Sequence, residues 1–450
     1  MISSNVAINL LPDPLGDNAK SSSPLGEGVW SAAPGGAGSV PRKSRKAHGR
    51  GSRTSRKAFG VKAQRALRAE KYRAQSLARD ILLDHARGLY DPEDKGYRDD
   101  VSNFHRTTKC LRVRYSESLV GIHQSNDHGK AFYSGLVVCG SVWSCPVCAA
   151  KIQNRRAVEI SRMFGWAYSS KDKPKYQVMM LTLTYPHALS DDLEEMLKKH
   201  AYALKLFRAG KAWVGFKDRV GYKGLIRSLE ITHGANGWHP HTHELYVINH
   251  DIDEAGEQRV SQFLRDRWEK CCIKAGLLNP DDEKKVVAFR QHSTNIKFHV
   301  KDSDYLAKMN NIDRAWGADK EMAKASTKIG KMDGKSPFDL LAQSENKVWY
   351  KKLFLEYSLK MKGKMQLFWS KGLKQQVGIT EKSDEEIATE EEDSAVVLAR
   401  LNSTHWRVVI DNNARAKILD IAEASGTVGL RKWFIKHGVS LDKYYWGSDG

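Results

Sequence analysis

The chain reads as an α+β protein. An apolar, β-rich run at 176–187 (YQVMMLTLTYPH) comes first. The stretch GLIRSLEITHGANGWHPHTHELYVI, 224–248, then reads as strand, Gly/Asn loop, strand, an antiparallel hairpin with a loop longer than the tight two-residue type. Helical patterns near 191–210, 254–275 and 302–327 separate and follow these strands.

Taken in order, residues 1–60 are rich in Ser, Gly and Pro and then turn basic. PRKSRKAHGRGSRTSRKAFG holds eight Lys or Arg and no acid, which fits a disordered basic arm. Residues 61–160 read as a charged helical stretch followed by a cysteine-rich, zinc-binding segment. Residues 161–375 carry the strands and helices just named and a helical region, opened by SPFDLL at 336–341, that also carries the LFWSKGL segment at 367–373. The run EKSDEEIATEEED, with eight acids and one lysine, marks 376–398 as an acidic linker or solvated helix, and 399–450 read as a small C-terminal helical unit.

Charge narrows the class. Lys and Arg number 73 against 53 Asp and Glu, a formal net charge of +20, which points to a polyanionic partner. A metallohydrolase of small molecules makes poor use of that surplus. No apolar run approaches the roughly 20 residues that span a bilayer. The N-terminus also lacks the order of a secretory signal, so a cytoplasmic location without membrane contact is expected.

Six cysteines in a chain of this size do not suggest a disulfide framework. CGSVWSCPVC supplies Cys139, Cys145 and Cys148, and Cys110 lies about thirty residues earlier. The C-x-x-C spacing is that of a zinc knuckle, with Cys110 the nearest fourth ligand to complete a structural Zn²⁺ site. Cys271 and Cys272, adjacent on a predicted helix, are expected in the core.

Alternation sends His239, His241 and His243 to one face of a strand. A pairing that sets Thr232 opposite His241 and Glu230 opposite His243 adds Glu230 to that face. Two imidazoles and a carboxylate with open positions suit a catalytic divalent ion. His239, next to Pro240 at the strand mouth, is left as a substrate contact or a loop residue. Thr182 and Thr184 share one face of the preceding strand, with Leu181 and Leu183 on the other, which alone is an ordinary half-buried strand. KDSDYLAKM places Tyr305 and Lys308 on one helical face. A nearby ammonium lowers the cost of a phenolate there.

The motifs LTLT, PHTH and YLAK, in that order, resemble the HUH endonuclease superfamily and, within it, the single-tyrosine rolling-circle replication initiators (Rep) of bacterial plasmids that carry an upstream cysteine segment. CGSVWSCPVCAAKI, GWHPHTH, SPFDLL and LFWSKGL look like the signatures of that subgroup, and the likeness runs from about Cys110 to Leu373. The resemblance implies a central antiparallel sheet flanked by helices, of the RNA-recognition-motif type, with the histidines on a central strand. It makes His241, His243 and Glu230 ligands of Mg²⁺ or Mn²⁺, Tyr305 the nucleophile and Lys308 its companion. Thr242 stands where the family has a hydrophobic residue.

The activity implied is metal-dependent nicking and joining of one strand at the plasmid origin, through a 5′-phosphotyrosyl link and a 3′-OH primer. Partners are then single-stranded and duplex origin DNA, with a host helicase and polymerase. No second tyrosine lies near Tyr305, so a carboxylate activating water could end the reaction, with Asp302, Asp304 and Glu321 as candidates. A rolling-circle transposase or relaxase is the rival within the class, and a non-enzymatic zinc-dependent DNA-binding protein the rival outside it.

Overall fold

The computed structural model describes residues 53–88, 104–115, 117–169, 176–249, 251–302, 334–390, 394–439 and Trp446, all within the second of two units, 53–450. Its first element is the helix α1, Arg53–Gly88. Strands β1 (Val120–Ser125) and β2 (Ala131–Ser134) follow. Helix α2, Pro146–Ala167, begins where Pro146 takes the first helical position, which needs no N–H donor, with Cys145 as its N-cap residue.

Strand β3 (Tyr176–Leu183) leads into α3 (Leu193–Phe207) and α4 (Gly210–Arg219). The hairpin follows as β4 (Gly224–Gly234) and β5 (Gly237–Asn249), then α5 (Glu254–Lys274), α6 (Glu283–His292) and β6 (Thr294–Lys297). Asp192, Asp253 and Asp282 start α3, α5 and α6 by accepting a backbone N–H in the first turn.

β3, β4, β5 and β6, joined by the short β7 (Leu367–Trp369), make a five-stranded antiparallel sheet in the order β6-β3-β5-β4-β7. The histidine strand β5 is therefore central, as the resemblance implies. One face packs Val178, Met180, Ile226, Leu245 and Val247 against Ile160, Met163 and Phe164 of α2. The other buries Leu181, Leu183, Tyr246 and Ile248 against α3 and α5, where Phe207 and Trp268 are fully buried and Cys271 and Cys272 join the core. On that second face Glu244 is wholly buried, ion-paired to Arg208 and accepting the Tyr246 hydroxyl at 2.5 Å. An unpaired carboxylate could not occupy that position.

Two details of the hairpin differ from expectation. Pairing continues to Gly234 opposite Gly237, so only Ala235 and Asn236 form the loop. Gly237 makes this tight closure possible: its φ is +84°, and a Cβ there would meet Leu189 Cα at 2.9 Å. The register is Glu230 opposite His241 and Thr232 opposite His239, two residues away from the pairing expected. A shift of two preserves strand parity, so Glu230 keeps the face of the histidines.

After residue 333 lie α7 (Pro337–Ala342) and α8 (Val348–Lys360). α7 opens with a capping box in which Ser336 and Asp339 satisfy each other's backbone N–H. The LFWSKGL segment, expected within a helical region, instead pairs its first three residues with β4 as an edge strand and then turns into α9, Leu373–Val377. Three residues are too few to display a period of two.

The acidic run forms α10, Asp384–Thr389, whose Ile387 and Ala388 are buried. Then come β8 (Ala395–Leu401), α11 (Ser403–Asp411) and α12 (Arg415–Lys436). β8 pairs antiparallel with β1 in a second sheet, β2-β1-β8, so the C-terminal stretch completes a core begun near the cysteine segment. Among the described residues no helix is long and apolar enough to cross a membrane.

Candidate functional site: two clusters of metal-ligating side chains

The first cluster is built of thiols. Cys145 and Cys148 sit on the first turn of α2, three apart and so on one side. Cys139 comes from the preceding loop and Cys110 from the turn after a short 3₁₀ helix, Arg106–Thr108. All four are buried. Cys110 Sγ lies 3.5 Å from Cys148 Sγ, Cys139 Sγ 3.7 Å from Cys148 Sγ, and Cys145 Sγ 3.7 Å from Cys110 Sγ. These separations are far beyond an S–S bond of about 2.05 Å.

Donors surround the sulfurs. The N–H of Cys139 donates to Cys110 Sγ at 3.4 Å, that of Ser141 to Cys139 Sγ at 3.4 Å, and Gln75 Nε2 to Cys145 Sγ at 3.4 Å. Burial raises the Cys145 thiol, but hydrogen bonds from the other three sulfurs outweigh it and hold Cys145 well below the usual thiol value. Cys110 is pushed up, first by its contact with Cys139. Four thiols in one dry pocket can hold a metal ion, and all four can ionise only with a cation among them.

The second cluster lies on the α2 face of the five-stranded sheet, beyond the end of the apolar contact. Glu230 of β4 places one carboxylate oxygen 3.3 Å from His241 Nε2 and 3.3 Å from His243 Nε2. All three side chains are half-buried. Burial raises the Glu230 carboxyl, yet its contacts with His241 and His243 leave it well below the usual carboxylate range.

The imidazoles are oriented from behind. His241 Nδ1 is 3.2 Å from the backbone oxygen of His239, which can only accept, so Nδ1 donates there and Nε2 is turned toward Glu230. His243 Nδ1 is 2.9 Å from Thr182 Oγ1 on the neighbouring β3. Two imidazole nitrogens and a carboxylate oxygen thus converge, an arrangement that fits a cation. The donor set, N₂O with a half-open mouth, can bind a catalytic metal.

His239 shares the face but not the cluster. Its Nε2 is 2.5 Å from Thr184 Oγ1, and its ring stacks on His187 at 4.8 Å with a 22° tilt. Burial, with the neighbouring His241 and His187 adding to it, lowers the His239 imidazole to about 4. Thr182 and Thr184, legible only as a half-buried strand, are the histidines' hydrogen-bonding partners. Their i, i+2 spacing beside an HxH strand was the signal available.

Tyr305, Lys308, Asp304 and Glu321 lie outside the described residues. Asp302 is described, and accepts a hydrogen bond from Ser161 of α2 at 3.2 Å. Further along the chain, Lys335 forms a bridge with His233, and Gly334 lies beside Thr232.

Residues 137–412 match the family described as replication protein, a span that contains Cys139, Cys145, Cys148, Glu230, His241 and His243. The chain is 24% identical over 311 residues to a "Protein rep" of Streptomyces lividans, covering 56% of this chain and 66% of that one. It is 28% identical over 172 residues to a "Protein rep" of Staphylococcus aureus, 36% of this chain and 69% of that one. It is also 28% identical over 166 residues to a "Neomycin resistance protein" of Streptomyces cyanogenus, 30% of this chain and 36% of that one. The chain thus spans less than two thirds of the length of the two Streptomyces relatives. No solved structure matches it. With the family match running over more than half its length, the chain belongs to the Rep family of replication proteins.

Proposed function

We propose that the chain initiates rolling-circle replication of a plasmid by nicking one strand at the double-strand origin. Tyr305 Oη attacks the scissile phosphorus and the P–O3′ bond breaks. The products are a 5′-phosphotyrosyl link and a free 3′-OH for a host polymerase to extend. The phosphodiester energy kept in the tyrosyl ester lets a later transfer reseal the strand without ATP.

The observation that carries this reading is the convergence of Glu230, His241 and His243 on one face of the central strand. Mg²⁺ or Mn²⁺, held by these three, would make the scissile phosphorus more electrophilic. The chain's own residues do the rest. Thr182 and the His239 carbonyl fix the imidazole planes. Lys308, three positions after Tyr305 in the sequence, favours its phenolate or orients the phosphate. Asp302, held by Ser161 on the α2 face, stands three residues before Tyr305, a reach of about 10 Å at most. The half-buried His187–His239 ring stack forms a ledge beside the metal-binding face, suited to the nucleotide next to the scissile phosphate.

The thiol cluster holds Zn²⁺ in a structural role. A tetrahedron with Zn–S arms of about 2.3 Å has edges of about 3.8 Å. The 3.5 and 3.7 Å sulfur separations match that figure. The net charge of +20 serves origin DNA, both duplex and single-stranded.

The test is incubation with single-stranded origin DNA and Mn²⁺, followed by mapping of the covalent adduct. An adduct on Tyr305, lost in Tyr305→Phe while origin binding persists, is expected. No adduct with several origins and metals, or an undiminished activity in Tyr305→Phe, overturns the reading and leaves a DNA-binding protein.

A further inference from the structure

Arg415 stands at the start of α12, almost completely buried. Among the described residues no carboxylate pairs with it. Its guanidinium instead donates to Gln75 Oε1 at 2.6 Å, to the backbone oxygen of Leu111 at 3.1 Å and to Ser76 Oγ at 3.2 Å, and lies 5.0 Å from the centre of the Tyr72 ring. A buried cation without a counter-ion is costly, so the compensating charge must lie near these contacts. Both leading contacts reach the thiol cluster in one step. Gln75, whose Oε1 accepts from Arg415, donates through Nε2 to Cys145 Sγ at 3.4 Å. Leu111 directly follows Cys110.

Leu111 is itself unusual. Its φ of +51° lies in the left-handed region that a branched side chain occupies only under constraint. Two bonds hold it there: its N–H donates to Val137 O at 2.8 Å, and its carbonyl accepts from Arg415. The next carbonyl along, that of Arg112, accepts from Trp406 Nε1 of α11 at 2.7 Å. Cys110 is also the one cluster sulfur that does not come from the CGSVWSCPVC segment. Its approach therefore depends on a strained turn clasped by residues roughly 300 positions away.

We infer that Arg415 is the positioning residue that presents Cys110 to the metal–thiolate cluster, and that the C-terminal unit, β8 to α12, and the loaded cluster stabilise each other. The inference rests on the zinc reading above. Four thiolates around a divalent ion leave two negative charges, and Gln75 relays these to the guanidinium. Coupling of this kind is reciprocal: whatever Arg415 adds to metal retention, the metal adds to the docking of α12.

Cobalt substitution reads out the ligand set without any DNA chemistry. The intact chain is expected to show the intense tetrathiolate cobalt spectrum, and Cys110→Ser the spectrum of three sulfurs. Arg415→Met is expected to shift toward the Cys110→Ser spectrum and to lose metal to a chelator at least about tenfold faster, about 1.4 kcal/mol as an equilibrium equivalent. Glu423→Gln removes the charge from a different α12 contact, that with Arg68 and the Ala131 N–H, and is expected to keep the tetrathiolate spectrum. Should Arg415→Met not fold, Trp406→Phe removes the bond to Arg112 and is expected to move retention the same way by less.

In the reverse direction, chelation of the intact chain is expected to open 394–439 to protease before 176–249. A tetrathiolate spectrum and unchanged chelator kinetics in Arg415→Met or, in its place, Trp406→Phe, or an equal loss in Glu423→Gln, overturns the inference. Absence of a tetrathiolate spectrum in the unaltered chain overturns the zinc reading instead.

Discussion

The two ligand clusters differ in every respect that decides what a metal does. The thiol cluster is closed: four buried sulfurs, ringed by N–H donors, come from a loop, a strained turn and one helix end. The Glu230–His241–His243 cluster is open: three half-buried donors stand on two neighbouring strands of a rigid sheet. In the first, backbone segments with little structure of their own are gathered by the ligands. In the second, the strands fix the ligands before any ion arrives. On the proposed reading, an ion at the first site would serve the fold and an ion at the second a substrate.

Five experiments press on this contrast, the largest effect first. Double replacement His241→Ala/His243→Ala is expected to abolish the covalent adduct while leaving the melting temperature nearly unchanged, as read by adduct formation alongside calorimetry. A large drop in melting temperature would erase the distinction between the sites. Cys148→Ser should do the opposite, lowering thermal stability markedly, because structural metal sites contribute folding free energy outright. A chelator titration followed by circular dichroism should move the unaltered chain in the same direction.

Next in size, the two carboxylates on opposite faces of the hairpin should separate cleanly. Glu244→Ala strands Arg208 in the core and should destabilise by about 3–5 kcal/mol, whereas Glu230→Gln should cost less than about 1 kcal/mol. Denaturant unfolding compares them, and equal losses would mean that Glu230 is structural. Smallest is Thr182→Val. Loss of its bond to His243 should lower metal affinity or nicking by about 10–100-fold with stability retained. An unaffected metal titration would show that the strand alone orients His243.

How much of this was legible in the sequence depended on distance along the chain. Parity on a strand is local, so His239, His241, His243 and Glu230 could be placed on one face although the assumed register was off by two residues. The C-x-x-C pair and the Pro between set Cys145 and Cys148 at a helix start, and simple counting supplied Cys110 and Cys139. The conformation that brings Cys110 in was not legible, because it depends on Arg415 and Trp406 and leaves no local periodicity. For the same reason the acidic run and the C-terminal stretch read as linker and helices, while the pairing of β8 with β1 stayed hidden. The tight hairpin turn was missed because Gly234 and Gly237 look like loop residues, although Gly237 is the residue that allows the strands to continue almost to the tip.

The pairing of β1 with β8 also sets a timetable. About 270 residues of chain separate the two strands, and at roughly 5–20 residues per second of synthesis the first waits on the order of 15–50 s for the second. By the end of that interval the nascent protein carries all five strands of the larger sheet, β7 the last of them, but only two strands of the smaller one. The strands that carry Glu230, His241 and His243 are thus synthesised well before β8, the strand that completes the smaller sheet beside the cysteine segment.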